Sequence, residues 1–178
     1  MSLLNIENFK ANLAQGGAKT NLFEVRVLGT GVDAKASYLC KAASFPGVTI
    51  EPIVIPFRGR QIKVAGDKTF ESWELTFYND NQFVVRKAYE AWSSNMVSHD
   101  TGLGNLVSIQ GGADSYKRDL EVVQLDKKTG TATTNVYYFK GAFPSTISPI
   151  ELDYDNGDIQ QFTVTMEYDY WTTTAGSS

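Results

Sequence analysis

Between residues 58 and 92 the chain changes its hydrophobic period. In RGRQIKVAGDKTFESWELTFYNDNQFVVRKAYEAW, Ile62 and Val64 flank Lys63, and Trp73, Leu75 and Phe77 alternate with Ser72, Glu74 and Thr76. A period of two marks a half-buried strand. Ala65-Gly66-Asp67 reads as the turn between these two strands. After Asn79-Asp80-Asn81 the apolar residues Val84, Val85, Ala88, Tyr89 and Trp92 recur at helical spacing, while Arg86, Lys87 and Glu90 take the opposite face. Asn and Asp oxygens accept hydrogen bonds from the unpaired N–H groups of a first helical turn, so the helix starts there. Arg86 and Glu90 stand four apart, the spacing of a surface ion pair. Two strands and a helix laid over one face form the minimum of a small core.

The same reading extends along the chain. Leu3, Ile6, Phe9 and Leu13 share one side of a short helix in an arm over residues 1–17, closed by Gly16-Gly17. That apolar side packs either on its own domain or on a neighbouring subunit. Phe23, Val25 and Val27 form one face of a strand; Gly29-Thr30-Gly31 turns the chain, and a second strand over Ala36 to Cys40 completes a hairpin. Residues 44–60 are apolar and β-branched, yet Pro46, Pro52 and Pro56 interrupt them. Proline cannot donate to a sheet ladder, so this segment is a projecting hairpin or loop and not a central strand. It folds back on its own domain or lies on another copy. The second reading is preferred, because an exposed apolar patch marks an interaction site. Ser93 to Gly112 reads as a polar loop. Tyr116–Leu125 and Thr133–Lys140 are strands around the turn Asp126–Gly130, and Gly141-Ala142-Phe143-Pro144 breaks the pattern. Ile150, Leu152 and Tyr154 alternate with acids, Asn156-Gly157 turns, and Ile159–Trp171 is the last strand. Residues 172–178 form a small, polar, flexible tail. The 178 residues read as one mainly β domain: an antiparallel β-sandwich or barrel with one covering α-helix.

Composition narrows the function. The net charge of −4 argues against an ordinary nucleic-acid-binding domain, which carries a basic face. One cysteine allows no intrachain disulfide. The first residues lack the pattern of a signal peptide, and no stretch approaches the roughly 20 apolar residues of a membrane anchor, so cytoplasmic synthesis is expected. His99 and Cys40 are each present once, which is thin material for a nucleophile and its base. No zinc spacing or phosphate-binding loop occurs. Asp153, Asp155 and Asp158 resemble part of a calcium loop that lacks its closing glutamate. No catalytic, cofactor-binding or metal-binding residue is assigned. Charge placement says more: from Glu151 onwards there are six acids and no Lys or Arg, whereas Arg58, Arg60, Lys63 and Lys68 cluster with only Asp67 among them. These either lie solvated or complement one another between copies.

Several stretches together resemble the tail tube proteins of T4-type contractile phages. They are RGRQIKVAGDKTFESWELTFYND with its following helix, Asn21-Leu22-Phe23-Glu24-Val25, the run from Cys40 to Gly47, and the closing pattern from Lys140-Gly141-Ala142-Phe143-Pro144 to Asp169-Tyr170-Trp171. The resemblance implies a structural protein and not an enzyme. Six copies would close a ring, their sheets would join in one inner barrel, and the rings would stack into a tube. It implies a sheath outside, a baseplate hub and a tail terminator at the ends, and a tape-measure protein and double-stranded DNA within. No sequence-specific DNA contact is implied. The place is the virion tail, assembled in the host cytoplasm. The subunit interface would include Phe45, Val48, Ile50, Ile53, Ile55, Phe57, Arg58, Arg60, Lys63 and Asp67. Two alternatives stand beside this reading: the inner tube of a bacterial contractile injection system, and a stand-alone β-barrel that binds a ligand or acts as an enzyme.

Overall fold

The computed structural model describes residues 5–12, 18–27, 33–97, 116–126, 132–155 and 157–173. Three helices, α1 (Ile6–Asn12), α2 (Asp33–Leu39) and α3 (Val84–Met96), accompany nine strands. The strands are β1 (Phe23–Val27), β2 (Cys40–Ala43), β3 (Val48–Phe57), β4 (Arg60–Phe70), β5 (Trp73–Tyr78), β6 (Arg118–Leu125), β7 (Ala132–Ile147), β8 (Gln161–Glu167) and β9 (Tyr170–Thr173). One antiparallel sheet runs β1-β6-β7-β8-β5-β2, with β9 paired to β7. β3 and β4 form a separate two-stranded ribbon.

Alternation decides which faces meet. Trp73, Leu75 and Phe77 of β5 and Phe162, Val164 and Met166 of β8 are all buried, in the pattern that their sequence period requires. Val25 and Val27 of β1, Leu120 and Val122 of β6, and Phe139 and Ala142 of β7 join them in one cluster. Trp73 stacks on Phe139 at 4.1 Å between ring centroids, and Phe77 lies between Phe162 and Tyr89. Each such buried side chain stabilises the fold by about 1.5–3 kcal/mol relative to exposure. The three tryptophans also tie distant backbone together. Their indole N–H groups donate to Ser44 O (2.7 Å, from Trp73), Tyr116 O (2.6 Å, from Trp92) and Gly47 O (3.3 Å, from Trp171).

α3 forms where its period places it and buries Val85, Tyr89 and Trp92. Asp80 Oδ1 accepts from Val84 N at 2.9 Å, so the Asn79-Asp80-Asn81 run does cap the first turn. The cap works across Phe83, which adopts a left-handed conformation at φ 55°. Arg86 and Glu90 pair at 2.8 Å.

Other expectations need correction. Residues 33–39 are helical and not a strand: Ala36 and Leu39, three apart, face the core, while Tyr38 is 88% exposed and Lys35 reaches Asp80. Good helix formers override an alternation only five residues long. Two helices therefore pack on the core, and β2 pairs with β5 instead of with β1. α3 continues to Met96, so the polar loop starts later than Ser93. β7 does not stop at Gly141-Ala142-Phe143-Pro144. Its first half pairs with β9 and its second half with β8, while β6 follows it on the other side. Gly141 sits at this change of partner with φ 67°, and a Cβ there would run into the Asp169 carboxylate. A strand that bends to serve two sheet segments makes the corner of a sandwich.

No strand forms over Ile150–Asp155; Leu152 and Tyr154 lie exposed, and the alternating apolar residues find no opposing strand. Ile159–Trp171 divides into β8 and β9 at Tyr168-Asp169. Thr172 and Thr173 end β9 and do not begin a free tail. α1 is present, with Ile6 66% and Phe9 65% exposed, so its own domain does not cover those two side chains. The Asp126–Gly130 turn, Asn156, His99 and residues 174–178 lie wholly or largely outside the described residues.

Candidate assembly interface

The β3–β4 ribbon has a sequence that ought to be buried and a structure that exposes it. Every residue of β3 is exposed. Ile50, Ile53, Ile55, Phe57, Ile62 and Val64 each keep roughly half of their surface in solvent. Cross-strand register places Ile53 opposite Val64, Ile55 opposite Ile62 and Phe57 opposite Arg60. Since directly opposed residues share a face, these six form one contiguous patch ending in Arg60. The reverse face carries Val48 opposite Phe70, Ile50 opposite Lys68, and Val54 opposite Lys63.

The turn of this ribbon is Arg58-Gly59, both with positive φ (45° and 79°), the two-residue geometry whose twist suits a hairpin. It is not Ala65-Gly66-Asp67, which lies inside β4. There the register shifts between Ile50 and Pro52, and Gly66 and Asp67 together oppose Glu51. A Cβ on Gly66 would meet the Glu51 carbonyl, which explains the glycine: it marks a bulge and not a turn. Pro52 and Pro56 are tolerated because β3 has no partner on its other side.

All ten residues named from the sequence therefore fall on this ribbon or at its root. Val48, Ile50, Ile53, Ile55 and Phe57 lie on β3, Arg58 in the turn, and Arg60, Lys63 and Asp67 on β4. Phe45 precedes β3 and packs against Tyr137 at 4.7 Å. Ile62 and Val64, as exposed as Ile55 and Ile53, join the same face by a register that depends on the Arg58-Gly59 turn, and the equally exposed Val54 lies on the reverse face. Arg58 leans over the Phe57 ring, and Lys68 over Phe70 and Trp171. Among the described residues, none of Arg58, Arg60, Lys63 and Lys68 pairs with a carboxylate.

The groups capable of chemistry are quiet. Burial pushes the Cys40 thiol up to about 12, and its Sγ donates to Ala42 O. A protonated thiol is a poor nucleophile. Burial also raises the Tyr89 hydroxyl, which has no hydrogen-bond partner among the described residues. No group of three His, Cys, Asp or Glu among the described residues is arranged to hold a metal ion. Among the described residues, no helix is long and apolar enough to cross a membrane. An open cavity of about 670 Å³ lies within Ile150–Gln161, and another of about 840 Å³ is bordered by Phe23, Tyr38, Cys40 and Tyr78.

The described structure is an antiparallel core bearing an exposed apolar hairpin, and the chain has named relatives. The phage tail tube protein family matches residues 6–174. This chain belongs to that family. It is 35% identical over 156 residues to tail tube protein gp19 of Enterobacteria phage T4, covering 86% of this chain and 90% of that one. It is 23% identical over 175 residues to the tail tube protein of Serratia phage KSP90, covering 93% and 95%. The tail tube fold is also that of the anti-feeding prophage cap, a tube-terminating cap, at a TM-score of 0.64 and 16% identity, covering 88% and 90%. The sheath-tube complex of the PVC extracellular contractile injection system contains a chain similar to this tail tube protein at a TM-score of 0.59 and 15% identity, covering 92% and 95%.

Proposed function

We propose that this chain is the structural subunit of the inner tube of a contractile phage tail, and that it works by assembly alone. Six copies close a ring, which covers strand edges that a free subunit leaves open. Stacked rings form a hollow conduit. A sheath surrounds it, a baseplate hub and a terminator bound it, and a tape-measure protein and then double-stranded DNA occupy it. The tube is built in the host cytoplasm and resides in the virion tail. The conduit binds DNA weakly, because strong phosphate contacts would stall passage, and a net charge of −4 suits that role.

The observation that carries this reading is the ribbon: ten consecutive exposed residues of β3, most of them apolar, in a chain related to tail tube proteins. Left uncovered, such an edge aggregates; covered by a copy, it becomes an interface. Similarly folded structures support the partners, since they belong to a sheath-tube complex, a sheath/tube terminator and a baseplate. Those same structures favour a second reading, the tube of an injection system. Identity of 35% to the tail tube protein of a phage favours the phage.

Sedimentation velocity tests the interface. The natural chain should sediment as larger species with rising concentration. Ile55→Asp, at an exposed position, should stay monomeric with an unchanged melting curve. Equal assembly by both would overturn the assignment of the ribbon.

A further inference from the structure

The ribbon has a complement elsewhere on the same chain. The link from β7, which ends at Ile147, to β8, which starts at Gln161, exposes Leu152 (80%), Tyr154 (109%) and Ile159 (66%) beside an open cavity lined by residues between Ile150 and Gln161. Glu151, Asp153, Asp155 and Asp158 lie among them, and this stretch holds no Lys or Arg. Glu151, Asp153 and Asp155 make no ion pair with a described residue. The ribbon presents the opposite: an apolar tip, Phe57 and Ile55, beside Arg58 and Arg60, with Lys63 on the reverse face. Each surface combines exposed hydrophobic side chains with charge of one sign, and the two signs are opposite.

We propose that the β3–β4 tip of one copy docks on the acidic 150–161 segment of the next. This rests on the reading of the chain as a self-assembling tube subunit and names which two surfaces meet. The apolar side chains of both surfaces leave water together, and the arginines at the tip meet the carboxylates at the rim. Such charge pairing sets register and partner choice more than affinity. The contact is heterologous: the patch on one copy differs from the patch that receives it. Heterologous contacts leave one free surface of each kind at the ends, so assembly continues into closed rings or open stacks.

Reciprocal charge reversal tests the pairing. Arg58→Glu with Arg60→Glu makes the tip acidic; Asp153→Arg with Asp155→Arg makes the segment basic. Either variant alone places like charges together, and the concentration needed for assembly should rise at least about tenfold, the equivalent of roughly 1.4 kcal/mol. Mixing the two variants should restore assembly, because each then offers a surface of the sign the other lacks. All four changes in one chain should restore it as well. Melting curves of the monomers should match the natural chain, since every changed residue is exposed. If only the tip variant impairs assembly, and neither mixing nor combination rescues it, this pairing is wrong while the ribbon remains an interface. If no variant changes assembly, the pairing and the ribbon's role fall together. A natural chain that stays monomeric throughout rejects both.

Discussion

At the scale of single residues, environment decides which reactive groups can act. Cys40 shows this. It is half-buried on its strand next to α2, and desolvation pushes the thiol up to about 12 against an ordinary 9.0. The sign follows from linkage: the unfolded chain gives up the proton first, so stability is unaffected below pH 9 and falls as pH rises towards 12. A thiol-reactive dye at pH 8 should label the native protein more slowly than the chain in denaturant; urea midpoints should drop between pH 9 and 11. Equal labelling rates in the native and denatured states would contradict the raised pKa. Legibility at this scale was uneven. Trp73, Leu75 and Phe77 announce burial by alternation, and Asp80 announces a cap by its chemistry. Gly66 did not announce a bulge, because a glycine flanked by Ala and Asp has the composition of a turn, and only the opposing Glu51 carbonyl reveals the difference.

At the scale of elements, long periodic runs were readable and short or bent ones were not. α3 and β5 each carry enough repeats to fix their type. α2 carries too few, and its helical state is settled by Ala36 and Leu39 packing against the core. The 150–155 alternation has the period of a strand yet lacks a partner, and a strand without a ladder does not persist. β7 is the opposite case. Its sequence looks broken at Gly141, whereas the structure uses that residue to turn one continuous strand from β9 to β8. Gly141→Ala should therefore cost about 1–3 kcal/mol, the range for a non-glycine residue held in a left-handed conformation. It also places a methyl group against Asp169, which Lys117 holds at 2.6 Å. Equilibrium urea denaturation measures this; an unchanged midpoint would show that the corner does not depend on glycine.

At the scale of the whole molecule, two designs share one chain. The sheet, α2 and α3 close on one hydrophobic core. The β3–β4 ribbon and the exposed Ile6 and Phe9 of α1 have apolar surface that the domain leaves in solvent. A soluble monomer gains nothing from such surfaces, whereas a subunit of an open assembly needs them. The candidate surface was legible in the sequence because prolines and β-branched residues rarely coincide in a strand that is meant for a sheet interior. Its faces were not legible, since they follow from the register set by the Arg58-Gly59 turn and the bulge at Gly66. Electron microscopy of the purified chain across a concentration series bears most directly on the central claim. The account predicts six-fold rings or hollow stacked tubes. Monomers at every concentration, or compact particles without a lumen, would contradict it.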